Sequence, residues 1–373
     1  MDGSVKVDAE GHSIELFDNG DITGLAKVFT GLNLDYETAE SLPDDQQWRY
    51  VLSQPMTIDE RYHSTEEKSF LGMTIPADTQ AQQSIDLALT HIMAQPSVAP
   101  FISRQLIQRL VTSHPSPEYI ERVANAFENG VYTLPNGQQV GTGKKGDLRA
   151  TVAAILMDSQ ATSTDTLQEP TFGKVREPII RFVHWARAFN ASEILPEFMP
   201  KLWDVKDSNQ LGQHPYRSPS VFNFFRPGYQ APGSVSGEAG MTAPELQLVS
   251  ATSLFGYANF MFDYISGRAQ QGNLYTVENH LAEDYSSISG ADDSFHADYS
   301  AELALANDPQ ALIDHLDLLL TAQTMTTQTK AHIVDTLNDI PLETDTFNFS
   351  GDELRVIMGI FMTMTSADYV VQK

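Results

Sequence analysis

The sequence predicts a mainly α fold, a multi-helical packed domain with small β-hairpins and long loops, and three observations predict it. Apolar residues recur at the i, i+3, i+4, i+7 spacing of a buried helix face in segment after segment. Helix start signals stand before several of these segments: Ser116-Pro117-Glu118, Asp308-Pro309, and Ser350-Gly351-Asp352-Glu353, which has the form of a capping box. Strand-like alternation is confined to short runs around turn residues. The chain has 373 residues, 41% hydrophobic and 19% charged. That is enough apolar material for a sizeable core, and too little charge for a disordered acidic chain.

In order, Val5 and Val7, the turn residues 8–11, and Ile14 with Leu16 predict an opening hairpin. Asn19 or Asp21 is placed to cap a helix whose face is Ile22, Leu25, Ala26 and Phe29, ended by Gly31. Residues 35–76 carry no period and read as a long irregular connection. Ile85, Ala88, Leu89, Ile92 and Met93 predict a helix stopping before Pro96; Ile102, Leu106 and Leu110 predict a second. Ser116 caps a third, with Ile120, Val123, Ala124 and Phe127 inward and Asn129-Gly130 at its end. Pro135-Asn136-Gly137 turns a hairpin between Tyr132 and Val140. Helices follow at about 147–157, with Leu148, Val152 and Ile155 inward, and at about 177–189, with Ile179, Phe182, Val183 and Ala186 inward. Residues 190–240 are loop-rich, Pro244 opens a helix to about Tyr264, and 282–298 reads as an acidic surface loop. Three helices close the chain, around Leu312–Leu320, Ile333–Leu337 and Leu354–Phe361, with links short enough for antiparallel neighbours. The whole reads as one domain, 1–373, subdividing if at all into 1–240 and 241–373.

Forty-nine acidic against 23 basic residues give a net charge of −26. Such a surface repels nucleic-acid phosphates and anionic lipid headgroups, and no Lys/Arg cluster larger than Lys144-Lys145 offsets it. The absence of cysteine excludes disulfides, thiolate metal sites and cysteine nucleophiles. No run approaches the ~18 apolar residues of a membrane helix, so no transmembrane segment is expected. The opening Met1-Asp2-Gly3-Ser4-Val5-Lys6 lacks the basic start and apolar middle of a signal peptide, which taken literally places the chain in the cytoplasm.

Several stretches resemble the bacterial family catalogued as "domain of unknown function 1800". They are residues 68–72 (Lys-Ser-Phe-Leu-Gly), 100–113 (Pro-Phe-Ile-Ser-Arg-Gln-Leu-Ile-Gln-Arg-Leu-Val-Thr-Ser), 146–150 with 154–156, and Lys174-Val175-Arg176-Glu177-Pro178. The most specific is 218–229, Ser-Pro-Ser-Val-Phe-Asn-Phe-Phe-Arg-Pro-Gly-Tyr; Asp314-His315-Leu316-Asp317 and 366–372 also match. The resemblance covers essentially the whole chain and implies no agreed catalytic residues. It implies members that often look exported, and many that are encoded beside a protein similar to alkaline-phosphatase-like sulfatases. It also implies a further helical region before the opening hairpin. On that expectation this chain is a C-terminal portion, periplasmic or secreted with the full-length protein, and exposes an apolar surface near residues 21–30.

Four groups of residues are candidates for chemistry. Gly141-Thr142-Gly143-Lys144-Lys145-Gly146 spells G-x-G-x-x-G, but it follows a polar hairpin with no βαβ pattern, so a surface loop is the stronger reading. Arg176, Arg181, His184 and Arg187, with Glu177, make a basic helix face. It suits an anion, or it is held by a Glu177–Arg181 pair at i, i+4, or by a buried Arg–Glu pair anchoring the loop 190–240. The loop 213–229 sets His214, Tyr216, Arg217, Asn223 and Arg226 among aromatic residues, which suits a polar ligand or a pinned loop. His63 is a lone candidate acid, base or ligand, against a structural histidine. Asp292, Asp293, His296 and Asp298 match no known cation loop and His-Glu-x-x-His is absent, so no metal or cofactor is assigned. Neither a Gly-x-Ser-x-Gly elbow nor a P-loop occurs. The first expectation is an exported accessory or ligand-binding protein working with a sulfatase-like partner. The second is an enzyme of unassigned class, hydrolysis being one option, that uses the basic helix and the aromatic loop and requires Arg176, His184, His214 and Arg226 to converge. The third is a structural envelope component.

Overall fold

The computed structural model describes residues 2–4, 6–193, 205–221, 223–267, 295–343, 345–346 and 349–373. Helices carry the fold; among the described residues every sheet has two strands and every strand pair is antiparallel. This is the hairpin-decorated helical class that the periodicity predicts. The chain forms two compact units, one of residues 1–106 with 116–157, the other of residues 107–115 with 158–373.

In the first unit the opening hairpin reduces to one bridge, Val7 to Ser13, around a turn held by the Asp8 carboxylate. Ile14, Leu16, Phe17 and Ile22 are 47–58% exposed. The helix Asn19–Val28 is capped by Asp18, which accepts from the Asp21 N–H while the Asp21 carboxylate accepts from the Asp18 N–H. This reciprocal box places the cap one residue before Asn19. The helix lies against the hairpin Lys68–Phe70/Met73–Ile75 so closely that a Cβ on Gly24 would stand 1.8 Å from the Ser69 carbonyl oxygen. Val28, Phe70, Ile75 and Ala88 form the core between them. The stretch expected to be irregular holds this hairpin and two short helices, Tyr36–Ala39 and Asp44–Ser53. They bury little beyond Ala39 and Val51, so they leave no apolar stripe to read. The helix Pro117–Asn129 starts at Ser116 and ends at Gly130 in the left-handed region, as its signals predict. In the helix Leu148–Leu156, Leu148 is 59% exposed rather than inward; Ala150, Thr151, Ala154 and Ile155 take the buried face.

The second unit is built round a large aromatic and aliphatic core containing Phe182, Trp185, Phe260, Tyr264, Leu312, Leu316 and Ile360. The helix Pro178–Ala188 turns Arg181, Phe182 and Trp185 inward, while Val183 is 38% exposed. The stripe is set by Phe182 packing on Phe260 and Tyr264, and by the Trp185 indole N–H donating to the Tyr299 hydroxyl at 2.9 Å. The single helix expected from Pro244 is two pieces, a 3₁₀ turn Pro244–Leu248 and the helix Ala251–Ile265, because Ser250 leaves helical geometry to cap the second. The helices Pro309–Leu316, Thr327–Asn338 and Gly351–Thr365 close the fold with the expected caps Asp308 and Ser350 at the first and third. A π turn, Asp317–Thr321, extends the first of them. Ser366 caps Ala367–Val370, and the strand Val371–Gln372 pairs with Lys174–Val175. That pairing brings the chain's last residues to the head of the basic helix Pro178–Ala188.

Candidate functional site

The short strand Lys174–Val175 leads through Arg176 and Glu177 into the basic helix. The ladder with the C-terminal strand continues one step past the strand, since the Arg176 N–H donates to the Val370 carbonyl at 2.8 Å. The Arg176 guanidinium then donates to the Tyr369 carbonyl and lies 4.5 Å from the centre of the Tyr369 ring. Arg181, one turn into the helix, donates from Nε to the Arg176 carbonyl at 2.7 Å and lies 4.8 Å from the Tyr257 ring centre. The Tyr369 hydroxyl closes the set by donating to the Arg181 carbonyl at 3.2 Å. His184 stacks on the same tyrosine, 5.7 Å between centroids and 12° between planes. Burial, and then the Arg176 charge, hold the His184 ring below the ordinary histidine value.

Both arginines are only 8% exposed as residues, and among the described residues no carboxylate lies within 4 Å of either. Each offers five N–H donors and uses one in the bonds above. Burial depresses Arg176, with Arg181 adding to the effect and Tyr369 opposing it. The i, i+4 pair between Glu177 and Arg181 does not form. Glu177 turns instead to Arg109, 3.0 Å away, and to the Gln213 amide at 2.8 Å. The same Gln213 accepts from the Ile179 N–H, so it caps the helix that Glu177 leaves without a side-chain cap. Arg109 is stacked 4.1 Å from the Phe225 ring. A half-buried Arg–Glu pair therefore exists, with Arg109 as its cation.

Beside this pair lies a second polar group. Ser113 donates to Glu245 at 2.9 Å and accepts from the Val175 N–H. Gln108 donates to the Ser113 and Pro227 carbonyls. Glu245 Oε1 and Gln108 Oε1 are buried without partners. Burial raises the Glu245 carboxyl above the ordinary value. Lys174 is only 7% exposed, and its amine makes no hydrogen bond or ion pair. Burial holds its amine below the ordinary lysine value; Glu177 and Glu245 oppose this, and Arg109 and Arg176 add to it.

Arg176, Glu177, Arg181 and His184 thus stand together. Arg217, Asn223 and Arg226 are exposed, and His214 is half-buried. From that loop it is Gln213, Phe225 and the Pro227 carbonyl that reach the cluster, because a half-exposed loop contributes its apolar ring and its backbone more readily than its charged tips. Arg187 is exposed on the helix's outer side. His63 sits in the first unit, buried, with Nδ1 2.9 Å from the Thr30 carbonyl and Nε2 3.3 Å from the Ser84 hydroxyl, a structural arrangement. In the glycine-rich loop, Thr142 bonds the Asp147 carboxylate through both its N–H and its hydroxyl. Asp292 and Asp293 lie outside the described residues, and among the described residues no three His, Asp or Glu side chains are grouped to hold a metal ion. No helix of the described residues is long and apolar enough to cross a membrane. A pocket of about 200 Å³ elsewhere in the second unit, lined by Tyr264, Tyr299, Phe349 and Val356 among others, has no Lys or Arg among its described lining residues.

Sequence reasoning passed over Arg109, Lys174, Glu245, Tyr257 and Tyr369. The signal was present for three of them, since Arg109, Lys174 and Tyr369 lie within stretches that carry the family resemblance. In the structure four of those stretches meet here, through Gln108–Ser113, Lys174–Pro178, Phe225–Pro227 and Tyr369.

Fold and site define a multi-helical protein with a buried, largely uncompensated guanidinium cluster at one helix head. The family model described as protein of unknown function (DUF1800) matches residues 8–371, and the chain belongs to that family. No curated protein and no solved structure matches the chain.

Proposed function

We propose that this chain is a binding protein for an anionic ligand, held at the head of the basic helix by Arg176 and Arg181. One observation carries the reading: two arginines, each only 8% exposed, stand next to one another with no carboxylate in ion-pair reach among the described residues. Burying a charge without a partner costs several kcal/mol, and folded chains pair such charges or neutralise them. An arginine cannot neutralise itself, so the missing negative charge comes from a ligand. The chain's net charge of −26 sharpens the point, because acids to fill the gap are abundant and among the described residues none is placed there. Planar guanidiniums fixed on tyrosine faces match the oxygen geometry of sulfate, phosphate or carboxylate groups.

The test is thermal denaturation with sulfate or phosphate titrated against chloride at constant ionic strength. Saturable stabilisation that Arg176→Gln and Arg181→Gln each abolish is the expected result. Equal responses to chloride and the oxyanions, or unchanged responses in both variants, would overturn the reading. We further place the protein outside the cytoplasm as an accessory to a sulfatase-like partner, whose released anion has the same chemistry. Co-purification of the two from a periplasmic fraction tests this part, and its failure leaves ligand binding standing.

A further inference from the structure

The site holds a functional group that neither its ion pairs nor its hydrogen bonds use, the amine of Lys174. We propose that Lys174 captures the carbonyl carbon of an α-keto acid or a similar anionic aldehyde as an imine, while Arg176 and Arg181 hold the ligand's anionic end. The inference rests on the anion-binding reading and adds the ligand class and a covalent step.

Four observations converge on it. Lys174 and Arg176 are two apart in extended backbone fixed by the C-terminal strand, so their side chains leave the same face. Lys174 is only 7% exposed as a residue and its amine makes no ion pair, whereas the partly exposed Lys27 and Lys145 pair with acids. Desolvation and neighbouring cations both make a lysine amine easier to deprotonate, and here burial leads, with Arg109 and Arg176 adding to it and Glu177 and Glu245 opposing it. An acid stands in the same group: Glu245, buried, with Oε1 unpaired and its carboxyl raised so that it keeps its proton to higher pH.

The chemistry balances within these groups. The Nζ lone pair forms a bond to the carbonyl carbon, and one amine proton passes to the carbonyl oxygen. The resulting hydroxyl takes a proton from Glu245 and leaves as water as the C=N bond forms. The remaining nitrogen proton returns to Glu245. Amine and carbonyl become imine and water, with no change of oxidation state.

The experiment treats the intact chain with glyoxylate or pyruvate, traps any imine with cyanoborohydride, and maps the modified lysine by peptide mass. Modification is expected at Lys174 ahead of exposed lysines such as Lys144, with sulfate or phosphate suppressing it. Arg181→Gln is expected to slow it about thirtyfold or more, the effect of removing one partner of a buried charge contact. Lys174→Met should abolish it. The protection measurement uses unaltered protein and stands even if a variant fails to fold. Oxyanion stabilisation with labelling confined to exposed lysines would overturn the covalent step and leave the anion site intact. Absence of both effects would overturn the two readings together.

Discussion

Replacing Arg109 should cost far more stability than replacing Arg176, although both are arginines stacked on aromatic rings in the same cluster. Arg109 is paired, 3.0 Å from a Glu177 carboxylate whose side chain is 14% exposed. Arg109→Met strands that carboxylate, and breaking a buried pair costs about 3–5 kcal/mol. The lower end applies because the Arg109 side chain keeps 32% of its exposure and water screens part of the interaction. Arg176→Met strands no charge. It loses one charge-assisted bond to the Tyr369 carbonyl, about 1.5–3 kcal/mol, and a cation–π contact of about 1 kcal/mol. It also relieves an unpaired buried charge whose desolvation costs several kcal/mol, so the net change lies within about 1 kcal/mol of zero. Urea unfolding of the two variants without added oxyanion reads the contrast directly as about 2 kcal/mol or more. Equal destabilisation by both would refute the claim that Arg176 is uncompensated, and with it the argument for a ligand. In saturating sulfate the order should narrow. At 100 times Kd the parent gains about 2.7 kcal/mol that Arg176→Met does not, a Tm difference of about 5–10 °C for a body of this size.

Three further outcomes follow from the same structure. His184 has a folded pKa below its ordinary 6.5, so the unfolded chain takes up the proton first; stability present above that value should fall as pH drops through it, and His184→Phe should flatten the fall measured by thermal melting from pH 8 to 5. Glu245 is the reverse case: its folded pKa lies above the ordinary 4.5, so its contribution is present at low pH and is lost as pH rises through the folded value, and Glu245→Gln should raise stability at pH 8 relative to pH 4. Asp317, 1% exposed in its side chain and 2.6 Å from Lys330, accepts from the Met325 N–H as well; Asp317→Asn should lower stability by about 3 kcal/mol in urea unfolding, and a loss under 1 kcal/mol would show that the π turn does not depend on that charge.

The helical class, most helix ends and the closing helices were legible in the sequence, because caps and apolar periods act over three or four residues. Ser116, Gly130, Asp308 and Ser350 do their work within one turn of themselves. Where the reading went astray, distant partners decided. Leu148 and Val183 fit a helical stripe in spacing yet face outward, since the packing surface was claimed by Ala154 and by Trp185. Tyr36–Ala39 and Asp44–Ser53 are helices too polar and short to show a period. The site divides the same way. Arg176, Glu177, Arg181 and His184 could be named from one helix, since they are neighbours along the chain. Which acid would meet which base could not, because Glu177 is four residues from Arg181 and 68 from Arg109, and it pairs with the distant one. Sequence spacing determines which residues share a helix face. Only the return of the C-terminal strand, from more than 180 residues away, decided that Arg176 would meet the Tyr369 carbonyl and ring, and His184 the same ring, with no acidic partner for Arg176 or Arg181 among the described residues.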